Sequence, residues 1–91
     1  MDIEVQHDAG QQLFYADVSG GRGELRYKKV NDKTLDYYST YVPDDLRGHG
    51  LAATITQFAL DFAREHHYKI IPSCSYVKSY IQRHAEYADL I

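Results

Sequence analysis

Between Val42 and Leu51 the chain changes its hydrophobic period, and that change constrains its architecture more than any other feature. The run Thr34-Leu35-Asp36-Tyr37-Tyr38-Ser39-Thr40-Tyr41-Val42 is rich in aromatic and β-branched residues, and Pro43 ends it as a ladder member. Beyond the loop, Leu51, Ala52, Ile55, Phe58, Ala59, Phe62 and Ala63 recur at i, i+3, i+4, with Thr54, Gln57, Asp61, Arg64 and Glu65 on the other side. The pattern predicts a strand, a tight loop and a helix from about Gly50 to His66. The first amides of such a helix lack intrahelical partners and carry roughly half a positive charge, so an anion is their natural ligand.

Arg47-Gly48-His49-Gly50 fills the loop. Glycine lets the backbone take left-handed torsions and lets a ligand approach closely, and Arg47 brings a fork of donors suited to phosphate. The pattern is neither Gly-x-Gly-x-x-Gly nor Gly-x-x-x-x-Gly-Lys-Ser/Thr, so the usual dinucleotide and nucleoside-triphosphate signatures are absent. A plain turn leading into a helix is the alternative reading.

The rest of the chain resolves into short elements. Ile3 to His7 alternates, Asp8-Ala9-Gly10 is turn chemistry, and Gln12 to Val18 returns as a second strand. Ser19-Gly20-Gly21-Arg22-Gly23 makes another turn before a strand from Glu24 to Val30, and Asn31-Asp32 leads into the fourth strand, Lys33 to Val42. After the helix come a strand at Tyr68 to Pro72 and a second helix from roughly Tyr76 to Arg83. The predicted fold is α+β: a four-stranded antiparallel meander, a crossover helix, a fifth strand parallel to the fourth, and a C-terminal helix.

At 91 residues there is room for one domain and one core, burying roughly 60–65% of the unfolded chain's surface. A formal net charge of −3 argues against a nucleic-acid partner, whose phosphates require clustered Lys and Arg. No apolar run approaches the ~20 residues of a membrane span, and the acidic start lacks a signal-like stretch. One cysteine makes no internal disulfide and suits a reducing compartment. These features predict a cytoplasmic protein with no membrane partner. Neither His-x-x-x-His nor His-Glu-x-x-His spacing occurs, so no metal is expected.

The loop resembles the signature of the GNAT superfamily of acetyl-CoA-dependent N-acetyltransferases, Gln/Arg-x-x-Gly-x-Gly/Ala between a strand and a helix. Arg47, Gly50 and Ala52 match its defined positions. Within the superfamily the chain is most similar to the small, single-domain YjdJ-like group. Val42-Pro43, Arg47-Gly48-His49-Gly50, Pro72-Ser73-Cys74-Ser75-Tyr76 and His84-Ala85-Glu86-Tyr87 follow that group's motifs in order, with Ala85 where proline is usual. The resemblance implies a minimal GNAT domain over residues 1–91, with acetyl-CoA as donor and an unidentified primary amine as acceptor. It implies that the fourth and fifth strands splay into a cleft for the pantetheine arm. The helices that cover the acceptor in larger relatives are missing, which implies an open acceptor site. Amides near Tyr41 and Val42 would meet pantetheine and the thioester oxygen, and Arg47, Gly48, His49, Gly50, Leu51 and Ala52 would hold the pyrophosphate.

For chemistry the candidates are Tyr80 and Cys74. Tyr80 lies where larger relatives carry a tyrosine that protonates the departing thiolate; packing of a helix face is the competing role, and Tyr76 is the weaker alternative. Cys74 is a candidate acyl acceptor or acid, against a role as a small packed residue. His66-His67 read as a helix cap. His84 with Glu86 reads as a polar pair or a terminal turn, Asp44 and Asp45 as outward-pointing caps or a lure for a cationic acceptor, and Lys28-Lys29 as a solvated edge.

Overall fold

The computed structural model describes residues 3–91. Five strands form one sheet in the order β1-β2-β3-β4-β5: β1 Gln6–Asp8, β2 Leu13–Val18, β3 Gly21–Asn31, β4 Thr34–Tyr41 and β5 Lys69–Ile71. The first three pairings are antiparallel and β4 with β5 is parallel. Helix α1, Leu51–Glu65, crosses between β4 and β5, and helix α2, Ser75–Arg83, follows β5. Short 3-10 helices at Asp44–Leu46 and Ala85–Leu90 complete the chain. The sequence reading thus matches the element order and the parallel pairing.

It differs at the ends of elements. The first strand is three residues long, because Ile3 and Val5 leave the ladder and pack beside α1 instead. The turn expected over residues 19–23 shrinks to Ser19-Gly20, since Val18 pairs with Gly21 and Ala16 with Gly23. Paired with β2 on one side and β4 on the other, β3 is an interior strand, so Lys28 and Lys29 are exposed on its surface without marking an edge; the Lys28 ammonium lies 5.6 Å from the Tyr38 ring. The terminal turn is a 3-10 helix that buries Tyr87 and Leu90.

One face of the sheet is buried under α1. Phe14, Ala16, Leu25, Tyr27, Leu35 and Tyr37 meet Leu51, Ile55, Ala59, Leu60 and Ala63, and Val77, Tyr80 and Ile81 of α2 extend the same core. The Tyr37 hydroxyl donates to the Ala59 carbonyl at 2.6 Å, tying β4 to the middle of the helix. At its C-terminus α1 stops in a Schellman arrangement: His67 N–H donates to the Arg64 carbonyl and Tyr68 N–H to the Ala63 carbonyl. Tyr68 stacks on Phe62 as the accompanying apolar contact. The expected cap at His66-His67 is therefore made by the backbone, with His67 in the left-handed region at φ 61°.

The 3-10 segment at the C-terminus is clamped to α1. Arg64 holds the Asp89 carboxylate through two bonds of 3.0 Å and donates to the Glu86 carbonyl, while the Tyr87 hydroxyl donates to Asp61 at 2.7 Å.

Candidate functional site

A single extra residue in β4 opens the site. Tyr37 pairs with Tyr27 and Ser39 with Arg26, so Tyr38 has no opposite number on β3. Such a bulge switches the inward parity of everything after it. Leu35 and Tyr37 face the core before it, and Val42 does so after it at 8% exposure, while Tyr41 is 58% exposed.

The bulge also coincides with the parting of two strands. Parallel pairing joins Thr34, Leu35 and Asp36 to Lys69, Ile70 and Ile71, and the last backbone bond between the segments runs from Cys74 N–H to the Tyr37 carbonyl at 3.0 Å. Past that point the chains diverge. The opening is a groove of about 510 Å³ whose walls are Thr40 of β4, Val42 just beyond it, Leu51, Ala52 and Ala53 of α1, and Tyr76 of α2, together with Arg47, Gly48 and Gly50 of the loop.

At one end lies the N-terminus of α1, which no side chain among the described residues caps. Gly50 is the N-cap residue at φ 77°, with no side-chain hydrogen bond to the helix. Thr54 N–H reaches the Gly50 carbonyl at 2.9 Å, but no acceptor among the described residues meets the amides of residues 48–53. Gly48 adopts φ 87°, and a Cβ at either glycine would point into open space. Left-handed torsions here turn successive amides outward, and the absent side chains leave them bare; the cradle fits a diphosphate.

The residues expected to bind divide by position. Arg47, Gly48, Gly50, Leu51, Ala52 and Val42 all line the groove. His49 is exposed and off the wall, and the Tyr41 side chain faces solvent, so only their backbones remain available to a ligand in the groove. Arg47 is largely exposed and makes a 3.4 Å ion pair with Asp44, a contact between two solvated groups that a phosphate can readily displace. Asp44 and Asp45 point outward as expected, but they do not cap: the short helix they begin has no side-chain cap bond.

Cys74 is the N-cap residue of α2 and half-buried, and its thiol donates to the Thr40 hydroxyl at 3.4 Å. Tyr80 lies deeper than expected. It is 6% exposed, its ring stacks on His84 at 4.0 Å, and it is not among the groove residues, whereas Tyr76, one turn earlier, is. Burial raises the pKa of both phenols above the usual tyrosine value, which keeps each a protonated donor at neutral pH. Of the two readings of His84 and Glu86 the terminal turn is the one observed: His84 precedes the 3-10 helix and stacks on Tyr80, and no bond joins it to Glu86. Thr40 was missed by the sequence reading, since a regular strand would have turned Ser39 and Tyr41 toward the site.

A second polar cluster lies away from the groove. His7 packs between Phe14 and Phe62, with ring centroids 4.5 Å from each, and its Nε2 is hydrogen-bonded to the Tyr27 hydroxyl at 2.6 Å. Burial lowers its pKa, as does neighbouring His66, against an opposing effect of Asp8.

Comparison with known proteins agrees with this geometry. The family model for GCN5-related N-acetyl-transferases matches residues 13–90. Protein NATD1 of Xenopus tropicalis is 35% identical over 82 residues, covering 88% of this chain and 75% of the relative. Protein NATD1 of Homo sapiens is 34% identical over 82 residues, with 88% and 73% covered. A GCN5-like candidate N-acetyltransferase from Staphylococcus aureus, solved by NMR in solution, superposes with a TM-score of 0.76 at 27% identity, covering 96% of this chain and 85% of that one.

Proposed function

The chain belongs to the GCN5-related N-acetyltransferase family, and on that premise we propose that it transfers an acetyl group from acetyl-CoA to a primary amine. One observation carries this reading: a groove opened by the β4 bulge runs to an uncapped helix N-terminus framed by two left-handed glycines. The bare amides of residues 48–53 and the Arg47 guanidinium match the charge of a diphosphate, and the apolar walls at Val42, Leu51, Ala52 and Ala53 suit a pantetheine arm.

In the reaction a neutral amine attacks the thioester carbonyl, the C–N bond forms, the C–S bond breaks, and the sulfur leaves as thiolate. Backbone amides at Tyr41 and Val42 steady the carbonyl oxygen, and a phenol, the groove-lining Tyr76 or the more deeply buried Tyr80, gives its proton to the thiolate and is reprotonated by the proton that the acetylated nitrogen sheds to water. Cys74, whose thiol is 3.4 Å from the hydroxyl of groove-lining Thr40, would be the acyl acceptor of a two-step route. The order of its motifs is what supports assigning the chain to the small YjdJ-like group. A reducing, cytoplasmic setting suits a free thiol at this position.

A second reading is a coenzyme A binding protein with little turnover. The residues lining the groove include no carboxylate and no histidine, so no side-chain base is on hand to deprotonate an ammonium ion. The two readings separate when the protein is incubated with acetyl-CoA and a panel of amines, peptides and polyamines. Release of free thiol together with acetylated product in the mass spectrum is expected of a transferase; tight binding without either supports the carrier. A 42 Da adduct on the protein that disappears in Cys74→Ala marks the two-step route, and unchanged turnover in that variant removes Cys74 from the chemistry.

A further inference from the structure

Thr40 is the polar β4 side chain on the groove wall, at the point where β4 and β5 part. Its Oγ1 accepts the Cys74 thiol hydrogen at 3.4 Å, and its own hydroxyl hydrogen meets no acceptor among the described residues. A hydroxyl has one hydrogen to give, so with a lone pair already engaged by the thiol, the O–H is left to point elsewhere. The bulge at Tyr38 is what sets Thr40 on the wall, and the half-buried Cys74 holds it there.

We infer that Thr40 is the acyl sensor of the groove: its hydroxyl donates to the carbonyl oxygen of a bound thioester and so distinguishes acyl-CoA from free coenzyme A. This rests on the coenzyme A reading above. The arrangement gives the thioester oxygen a side-chain donor beside the backbone amides, and after transfer the product thiol offers no carbonyl to that donor. Loss of the bond on turnover weakens the hold on coenzyme A relative to acetyl-CoA and favours product release. Thr40 is thus a specificity-determining residue, and Cys74 acts through it as a positioning residue.

The test compares the dissociation constants of acetyl-CoA and free coenzyme A by calorimetry for the wild type, Thr40→Val and Thr40→Ser. Val keeps the shape and removes the hydroxyl; Ser keeps the hydroxyl. The wild type is expected to prefer acetyl-CoA, Thr40→Val to lose about fivefold of that preference with coenzyme A affinity nearly unchanged, and Thr40→Ser to retain it. An unchanged ratio in Thr40→Val overturns the inference while leaving the cofactor reading intact, as does an equal loss for both ligands, which marks a purely structural residue. A wild type that binds neither ligand overturns the cofactor reading itself and this inference with it. Should Thr40→Val unfold, Thr40→Ala is read by the same ratio.

Discussion

His67 holds a backbone conformation that glycine adopts with less strain. At φ 61° it occupies the position after the α1 cap where Schellman motifs favour glycine, and an L side chain there costs about 1 kcal/mol. His67→Gly is therefore expected to raise stability by about that amount in urea unfolding, with no effect on the groove. His7 gives a pH dependence whose sign follows from burial. Its folded pKa lies below the ordinary 6.5, so below that pH the unfolded chain binds a proton the folded chain refuses. Stability contributed at neutral pH is lost as pH falls through 6.5 toward the folded value. Thermal midpoints measured between pH 7.5 and 5 should fall toward acid, and His7→Gln should flatten that part of the slope; an unchanged slope would show that the proton is taken up elsewhere.

Element packing fixes where the helix N-terminus sits. Gly23 of β3 lies beneath it, and a Cβ there would come within 2.9 Å of Leu51 Cδ2 and 3.0 Å of Ile55 Cδ1. Gly23→Ala is expected to cost about 1–3 kcal/mol by overpacking and to weaken coenzyme A binding, because the Leu51 side chain that lines the groove must shift to make room. The same scale shows what was legible in the sequence. Helix and strand periods, with the crossover between Val42 and Lys69, were enough to read the element order and the parallel β4–β5 pair. The loop glycines were legible because few other residues adopt the left-handed torsions found at Gly48 and Gly50. The bulge at Tyr38 has no such signature: Tyr37-Tyr38-Ser39-Thr40 suits a regular strand equally well, and only cross-strand register decides which side chains face inward. Thr40 was missed for that reason, whereas the reading of Tyr41 and Val42 rested on their backbone amides and did not depend on side-chain direction. Tyr80 was singled out by its resemblance to a tyrosine of larger relatives, which says nothing about the His84 ring stacked on it.

On the scale of the whole molecule, the groove draws its walls from β4, α1 and α2 together, so a ligand held there would stabilise the folded chain by mass action. Acetyl-CoA at 100 times its dissociation constant should add about 2.7 kcal/mol, which for a domain of this size raises the melting midpoint by upward of about 10 °C. An unmoved midpoint at that saturation would mean that the ligand does not select the folded state. The central claim, that bare amides at the start of α1 grip a diphosphate while the parted strands take the arm that follows, is tested most directly by titrating the isotopically labelled protein with coenzyme A and following each backbone amide by NMR. The account predicts that the largest shifts fall on Gly48, His49, Gly50, Leu51 and Ala52, with a second set at Thr40, Tyr41 and Val42. Shifts confined to other surfaces, with these amides unmoved at saturation, would contradict it.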